Sequence, residues 1–159
     1  MRNCSEAIAV FNNNVKGRVI FHQCDVNNPV LVNFDLEVSP KKTLAIHIHE
    51  FGDTTDGCKS LGGHWNPTNK QHGSIWLDIS NSHAGDLINN LKSNSNGKFV
   101  YEYEDPRLSL KGNIEESIIG RSVVIHKGVD DLGLGLDKMS KITGNAGDRL
   151  DCAVIGFRK

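Results

Sequence analysis

Apolar and polar residues alternate with a period of two along much of the chain, and no stretch keeps the 3.6-residue period of a helix. Residues 30–37 (Val-Leu-Val-Asn-Phe-Asp-Leu-Glu) place Val32, Phe34 and Leu36 on one face of a strand. Residues 98–104 (Lys-Phe-Val-Tyr-Glu-Tyr-Glu) alternate as well. Shorter β-rich runs cover 7–11 and 15–22, and Asn12-Asn13-Asn14 between them reads as a hairpin turn, since asparagine tolerates the positive φ of tight turns. Beyond the break at Ser39-Pro40-Lys41-Lys42 lie strands at 43–49, 119–126 and 151–157. Period two puts His47 and His49 on one face of the 43–49 strand, with Ile46 and Ile48 on the other. Glu115–Ile119 has room for one helical turn at most. The pattern predicts an all-β sandwich or barrel of about eight short strands, with residues 1–159 as one domain.

Two long segments, 50–86 and 127–150, interrupt the alternation. Loops of that length in a compact domain point to function, and composition supports this. Gly128, Gly133, Gly135, Gly144 and Gly147 punctuate the second. The first, with the strand end before it, holds five of the seven histidines: His47, His49, His64, His72 and His83. His126 follows much later, and His22 stands apart as an ordinary strand histidine. His64, His72 and His83 share no single element's period, so they are not a core stripe. With Asp86 they make three imidazoles and a carboxylate, the donor set of a tetrahedral divalent ion such as zinc.

Charge narrows the partners. Eighteen basic against nineteen acidic residues give no overall sign that favours nucleic acid or an anionic membrane. No run of apolar residues is long enough to span a bilayer, and none follows the first residues, so the expectation is a cytoplasmic protein. Cysteines at 4, 24, 58 and 152 are expected to be unpaired in a reducing compartment, on composition alone.

Several motifs in one order carry a resemblance: His47-Ile-His-Glu-Phe-Gly-Asp53, Gly57-Cys58, Gly63-His64-Trp-Asn-Pro67, His83-Ala-Gly-Asp-Leu87 and Ile119-Gly-Arg-Ser-Val-Val-Ile-His126. Asp130-Asp-Leu-Gly133, Thr143-Gly-Asn-Ala-Gly147 and Arg149-Leu-Asp-Cys-Ala-Val-Ile-Gly156 continue it. Over nearly its whole length the chain resembles the copper/zinc superoxide dismutases. The resemblance implies an eight-stranded Greek-key barrel, with one copper on His47, His49, His64 and His126. It also implies one zinc on His64, His72, His83 and Asp86, so that His64 bridges the metals. Asp130 would join the outer ring nitrogens of His47 and His72, Arg149 would orient superoxide, and Cys58 would pair with Cys152. Cys4 and Cys24 match no family pair and are expected to be free thiols. The implied reaction is disproportionation of superoxide to dioxygen and hydrogen peroxide by copper cycling, with His64 as proton carrier.

By the same resemblance, Phe51-Gly52, Ile119-Gly120 and Val154-Ile155-Gly156 would build a homodimer contact, and a chaperone would load copper. Three features depart from the family pattern. The 72–83 loop is longer and carries Ile75-Trp76-Leu77, which call for burial. Asp137-Lys138-Met139-Ser140-Lys141-Ile142 replaces the usual steering segment, leaving Lys138 and Lys141 to attract an anion against Asp148. Phe157-Arg158-Lys159 adds bulk and charge beside the expected dimer contact. The main alternative is a metal-storing, copper-delivering or decoy protein of the same fold. A complete copper set and the absence of Cys-x-Cys and Cys-x-x-Cys argue against it.

Overall fold

The computed structural model describes residues 4–159. Among the described residues nine strands form two antiparallel sheets: β1 (Ser5–Asn12), β2 (Lys16–Gln23), β3 (Val30–Glu37), β4 (Thr43–His49), β5 (Asn90–Lys92), β6 (Lys98–Asp105), β7 (Ser122–His126), β8 (Arg149–Val154) and β9 (Gly156–Phe157). Their orders are β6-β3-β2-β1-β9 and β5-β4-β7-β8. The pairs β3/β6 and β4/β7 join strands distant in sequence, as Greek-key connections do. Hydrogen bonding does not close the sheets into a barrel, so the sandwich form of the expectation describes the fold.

Alternation explains the core. Ala7, Ala9 and Phe11 of β1, Val19 and Phe21 of β2, and Val32, Phe34 and Leu36 of β3 are buried on one face of the first sheet. Leu44, Ile46, Ile48, Leu91, Val123, Ile125 and Ala153 meet them from the second. β4 differs from β1 and β3 in being buried on both faces. One face packs into the core; the other, carrying His47 and His49, lies beneath the two long loops.

The strand ends depart from expectation in three places. The 119–126 run becomes strand only at Ser122, because Gly120 takes φ 81° and the Ile118 carbonyl accepts from the Arg121 amide in a turn. The final run splits into β8 and β9 as the chain passes from one sheet to the other, where Gly156 and Phe157 pair with Ile8 and Ala7. β5, at three residues, is too short to show an alternation. The long loops contain only 3-10 turns at Lys59–Leu61, Ile79–Asn81 and Ala84–Asp86, and a single helical turn, α1 (Ser140–Thr143). Among the described residues no helix is long and apolar enough to cross a membrane.

The cysteines correct two expectations, that composition leaves all four unpaired and that Cys4 and Cys24 are free thiols, and agree with the Cys58–Cys152 pair that the resemblance implies. Cys58 is bonded to Cys152, and Cys4 to Cys24, so none is free. Strand register gives the reason for the second bond. Glu6 faces His22 and Ser5 faces Gln23 across β1 and β2, so the next step along the ladder sets Cys4 against Cys24. Family correspondence alone carries no information about that register. The Cys58–Cys152 bond joins positions 94 apart and anchors the first loop to β8. A closure of that length stabilises by about 4–5 kcal/mol in the chain-entropy account.

Candidate metal centre

β4 projects His47 and His49 away from the core, and the loop folds back so that His64 makes a β-bridge with His49. The Trp65 amide donates to the Ile48 carbonyl at 2.8 Å and Glu50 N to Gly63 O at 3.0 Å, fixing His64 beside the strand. His126 closes the group from β7, just past a register shift that sets it opposite Arg149. Donor atoms of His47, His49, His64 and His126 lie within 4.8 Å of one another. A second set, His64, His72, His83 and Asp86, meets the same limit, and His64 belongs to both. All seven residues are buried.

Asp86 organises the second set from a 3-10 turn. Its Oδ1 lies 3.0, 2.9 and 3.1 Å from Nδ1 of His64, His72 and His83. Its Oδ2 accepts from the amides of Gly73 and His83. Asp130 spans the two sets: Oδ2 is 2.7 Å from His47 Nε2 and Oδ1 is 2.9 Å from His72 Nε2. Such outer carboxylates fix the tautomer and orientation of the rings they hold.

The remaining nitrogens test whether cations fit. His49 and His126 donate Nδ1–H to the carbonyls of Gly62 and Gly147, each at 3.0 Å, which leaves their Nε2 atoms as lone-pair donors 3.3 Å apart. Asp130 holds His47 at Nε2, leaving Nδ1. That Nδ1 and His64 Nε2 are buried and have no hydrogen-bond partner among the described residues. An unpaired buried polar atom costs about 1–3 kcal/mol, a cost removed when the atom ligates a cation. Four imidazoles suit copper, and three with a carboxylate suit zinc. The residues fit both ions.

Electrostatics agree with that fit. Burial, then the neighbouring His64, pushes His47 down to about 3. Burial pushes His126 down to about 4 and holds His49 well below the usual imidazole range. These rings are neutral at pH 7, as ligands must be. His72 is the opposite case: burial opposes its charge, yet the Asp130 and Asp86 carboxylates raise it to about 9. For the metal-free chain this fixes the sign of the pH dependence. His47 and His126 bind protons only when unfolded between their folded values and about 6.5, so their contribution is full above pH 6.5 and is lost as pH falls through about 4 and 3. The His72 contribution is full below 6.5 and is lost as pH rises through about 9. Thermal melts of the metal-free chain are expected to peak between these limits. On the acid side they should lose several kcal/mol, because each tenfold difference in proton affinity between folded and unfolded chain is worth about 1.4 kcal/mol. A melting temperature flat from neutral to about pH 4 would contradict this.

Arg149 lines a cavity of about 380 Å³ with His49, His64, His126, Thr143 and Gly147. Its guanidinium donates to the carbonyls of Cys58 and Gly62. It does not pair with its neighbouring acids: Asp148 lies 3.6 Å from Lys127, and Asp151 accepts from the amide of Val15. Lys138 and Lys141 do not reach this mouth. They line a separate hollow with Lys70 and His83, and Lys141 donates to the Gly133 carbonyl. The Ile75-Trp76-Leu77 insert is only partly covered. Ile75 packs on the core, whereas Trp76 and Leu77 are exposed, with the Trp76 ring 6.1 Å from that of Tyr103.

Sequence reasoning missed the supports. Asn90 makes two hydrogen bonds with the Asp130 backbone, and Asn89 donates to its carboxylate and to Gly73 O. Gly144 has φ 63°, and a Cβ there would stand 2.4 Å from both Asp130 Oδ1 and His72 Nε2. Arg107 pairs with buried Asp105 and donates to Ser82 Oγ and to the carbonyls of His83 and Leu87. One guanidinium thus pins the turn that carries Asp86. Arg107→Ala leaves buried Asp105 its Tyr103 hydroxyl and backbone amide donors but no cation, and is expected to cost about 3–5 kcal/mol, read by urea unfolding. A loss below about 1 kcal/mol would contradict that role.

Comparison with known proteins agrees with this geometry. Residues 15–155 match the family described as copper/zinc superoxide dismutase (SODC). Superoxide dismutase [Cu-Zn] 5 of Dictyostelium discoideum is 44% identical over 145 residues, covering 91% of this chain and 92% of its own. Superoxide dismutase [Cu-Zn] of Talaromyces marneffei is 43% identical over 155 residues, covering 96% and 97%. The crystal structure of the clock protein EA4 superposes with a TM-score of 0.88 at 37% identity, covering 99% of this chain and 98% of its own. On motif order, donor geometry and these relatives together, the chain belongs to the copper/zinc superoxide dismutase family.

Proposed function

We propose that this chain disproportionates superoxide, with copper held by His47, His49, His64 and His126 and zinc by His64, His72, His83 and Asp86. The observation that carries the assignment is the shared imidazole: one buried histidine belongs to two complete donor sets, and its Nε2 has no other partner among the described residues. Bound copper supplies a one-electron couple and bound zinc a redox-inert cation, so that two superoxide ions and two protons become dioxygen and hydrogen peroxide. His64 is the proton carrier: its Nε2, beside the cavity, takes a proton only while it is not ligating, and Nδ1 stays directed at Asp86 throughout. Arg149 binds the anion at the cavity wall with a planar fork that is charged at any working pH. Asp130 keeps the His47 ring from turning its free nitrogen away.

The test is superoxide decay by chain loaded with both metals, with and without a copper chelator. Chelator-sensitive decay supports the reading, and no activity with both sites filled overturns it. Delivery of copper by a loading protein belongs to the same proposal, since each imidazole of the copper set is at most 7% exposed.

A homodimer is also part of it. Phe51 and Val154 are exposed at 56% and 41%, on segments that the close approach of Gly52 to the Gly120 carbonyl and to Val154 brings together, and Phe157, exposed at 68%, follows on β9. A cluster of large exposed apolar side chains is what a partner copy covers. Ile155, by contrast, is buried within the chain and adds nothing to that surface. Sedimentation at micromolar concentration is expected to give twice the 17.5 kDa chain mass. A mass equal to one chain would remove the dimer from the proposal.

A further inference from the structure

The outer face of the β1–β2 hairpin carries a second constellation that the metal centre does not use. Ala7, Ala9, Val19 and Phe21 point into the core, so Cys4, Glu6, His22 and Cys24 share the opposite face. Donor atoms of Cys4, His22 and Cys24 lie within 4.8 Å of one another. His22 Nε2 is 3.2 Å from Cys24 Sγ, and His22 Nδ1 is 3.4 Å from Glu6 Oε1. Glu6 is held in turn: Arg158 donates to its Oε2 at 2.8 Å and to its backbone carbonyl at 2.9 Å. A carboxylate behind one ring nitrogen and sulfur before the other is the arrangement that orients a ligating imidazole.

We propose that reduction of the Cys4–Cys24 bond converts this face into a site for a thiophilic d10 cation, zinc(II) or copper(I), separate from the dismutase centre. A disulfide sulfur is a weak hydrogen-bond acceptor, so the imidazole at 3.2 Å gains little from it in the oxidised form. After reduction the same ring faces two thiols, and thiolate and imidazole are the donors that zinc(II) and copper(I) select. The electron balance is that of thiol exchange: two small thiols become one disulfide, and the Cys4–Cys24 bond becomes two protein thiols. Cation binding then releases both thiol protons. Cys4 Sγ, Cys24 Sγ and His22 Nε2 ligate, His22 Nδ1–H donates to Glu6, and a fourth position stays open to water. Cys4 is exposed and Cys24 half-buried, so a small thiol has access to the bond. The spacing that Cys-x-Cys provides along a chain is provided here across two strands.

Cobalt(II) is the probe, because its near-ultraviolet charge-transfer band requires thiolate and the dismutase centre has none. Chain already loaded with copper and zinc is reduced with a water-soluble phosphine, which supplies the two electrons and takes oxygen from water, and cobalt is titrated in. The expected band saturates at one cobalt per chain, appears only after reduction, is absent in Cys4→Ser and Cys24→Ser, and persists in Cys58→Ser. Affinity is expected to fall ~10–100-fold in His22→Ala and in Glu6→Gln. Zinc(II) and copper(I) are then added separately, and displacement of cobalt by either identifies the cation. No band after reduction, a band that survives loss of Cys4 or Cys24, unchanged affinity in His22→Ala, or displacement by neither ion overturns the proposal.

Discussion

Asp130→Asn is expected to lower occupancy of both metal sites together, by about 10–100-fold in affinity for each. The carboxylate receives four donors: His47 Nε2 and Asn89 Nδ2 on Oδ2, and His72 Nε2 and the Leu132 amide on Oδ1. An asparagine has the same shape but only one accepting oxygen. Whichever way it turns, its NH2 group meets two donors, so one side of the bridge must open. Loss of the negative charge also removes a main cause of the raised His72 value. Copper and zinc content measured after equilibration with limiting metal decides the matter. A loss confined to one metal, or none, would show that Asp130 is not a shared support.

Arg149→Ala is expected to reduce the second-order rate with superoxide by ~10–1000-fold, the range over which a steering charge alters on-rates, at unchanged metal content. The acidic neighbours do not pair with Arg149, and Lys138 and Lys141 lie over a different hollow; among the described residues no other Lys or Arg lines this cavity, while Lys59 and Lys127 line the hollow next to it. Two readouts separate binding of the anion from mere support of the loop. The rate should lose most of its decrease with ionic strength in Arg149→Ala. In Arg149→Lys it should keep that salt dependence while falling in magnitude, because lysine retains the charge but not the fork. A salt dependence identical in all three chains would assign the steering elsewhere.

Local chemistry decided what could be read from the sequence. The two-residue period exposed the sheets, and it set His47 and His49 on one face because parity within a strand needs no tertiary knowledge. The irregular spacing of His64, His72 and His83 pointed away from a core stripe for the same reason. Pairings between strands were harder. Cys4 and Cys24 are twenty positions apart, and only the β1–β2 register makes them neighbours. β5 is too short for alternation, and its first residue, Asn90, resembles turn sequence while buttressing Asp130. Arg107 follows a proline and looks like a loop charge, although it is the strap across the Asp86 turn. Trp76 and Leu77 ran the other way, since hydrophobicity suggested burial and the insert's exposed position did not provide it.

The pairing of β9 with β1 has a kinetic consequence. Ile8 meets Gly156 and Ala7 meets Phe157, so one edge of the first sheet is completed by the last strand of the fold. Topologies dominated by such distant pairings fold on the millisecond-to-second scale, because loop-closure entropy is lost before the contacts form. On a ribosome the outward edge of β1 therefore stays open until the final strand emerges. Throughout that interval an unpaired β edge is available to other chains.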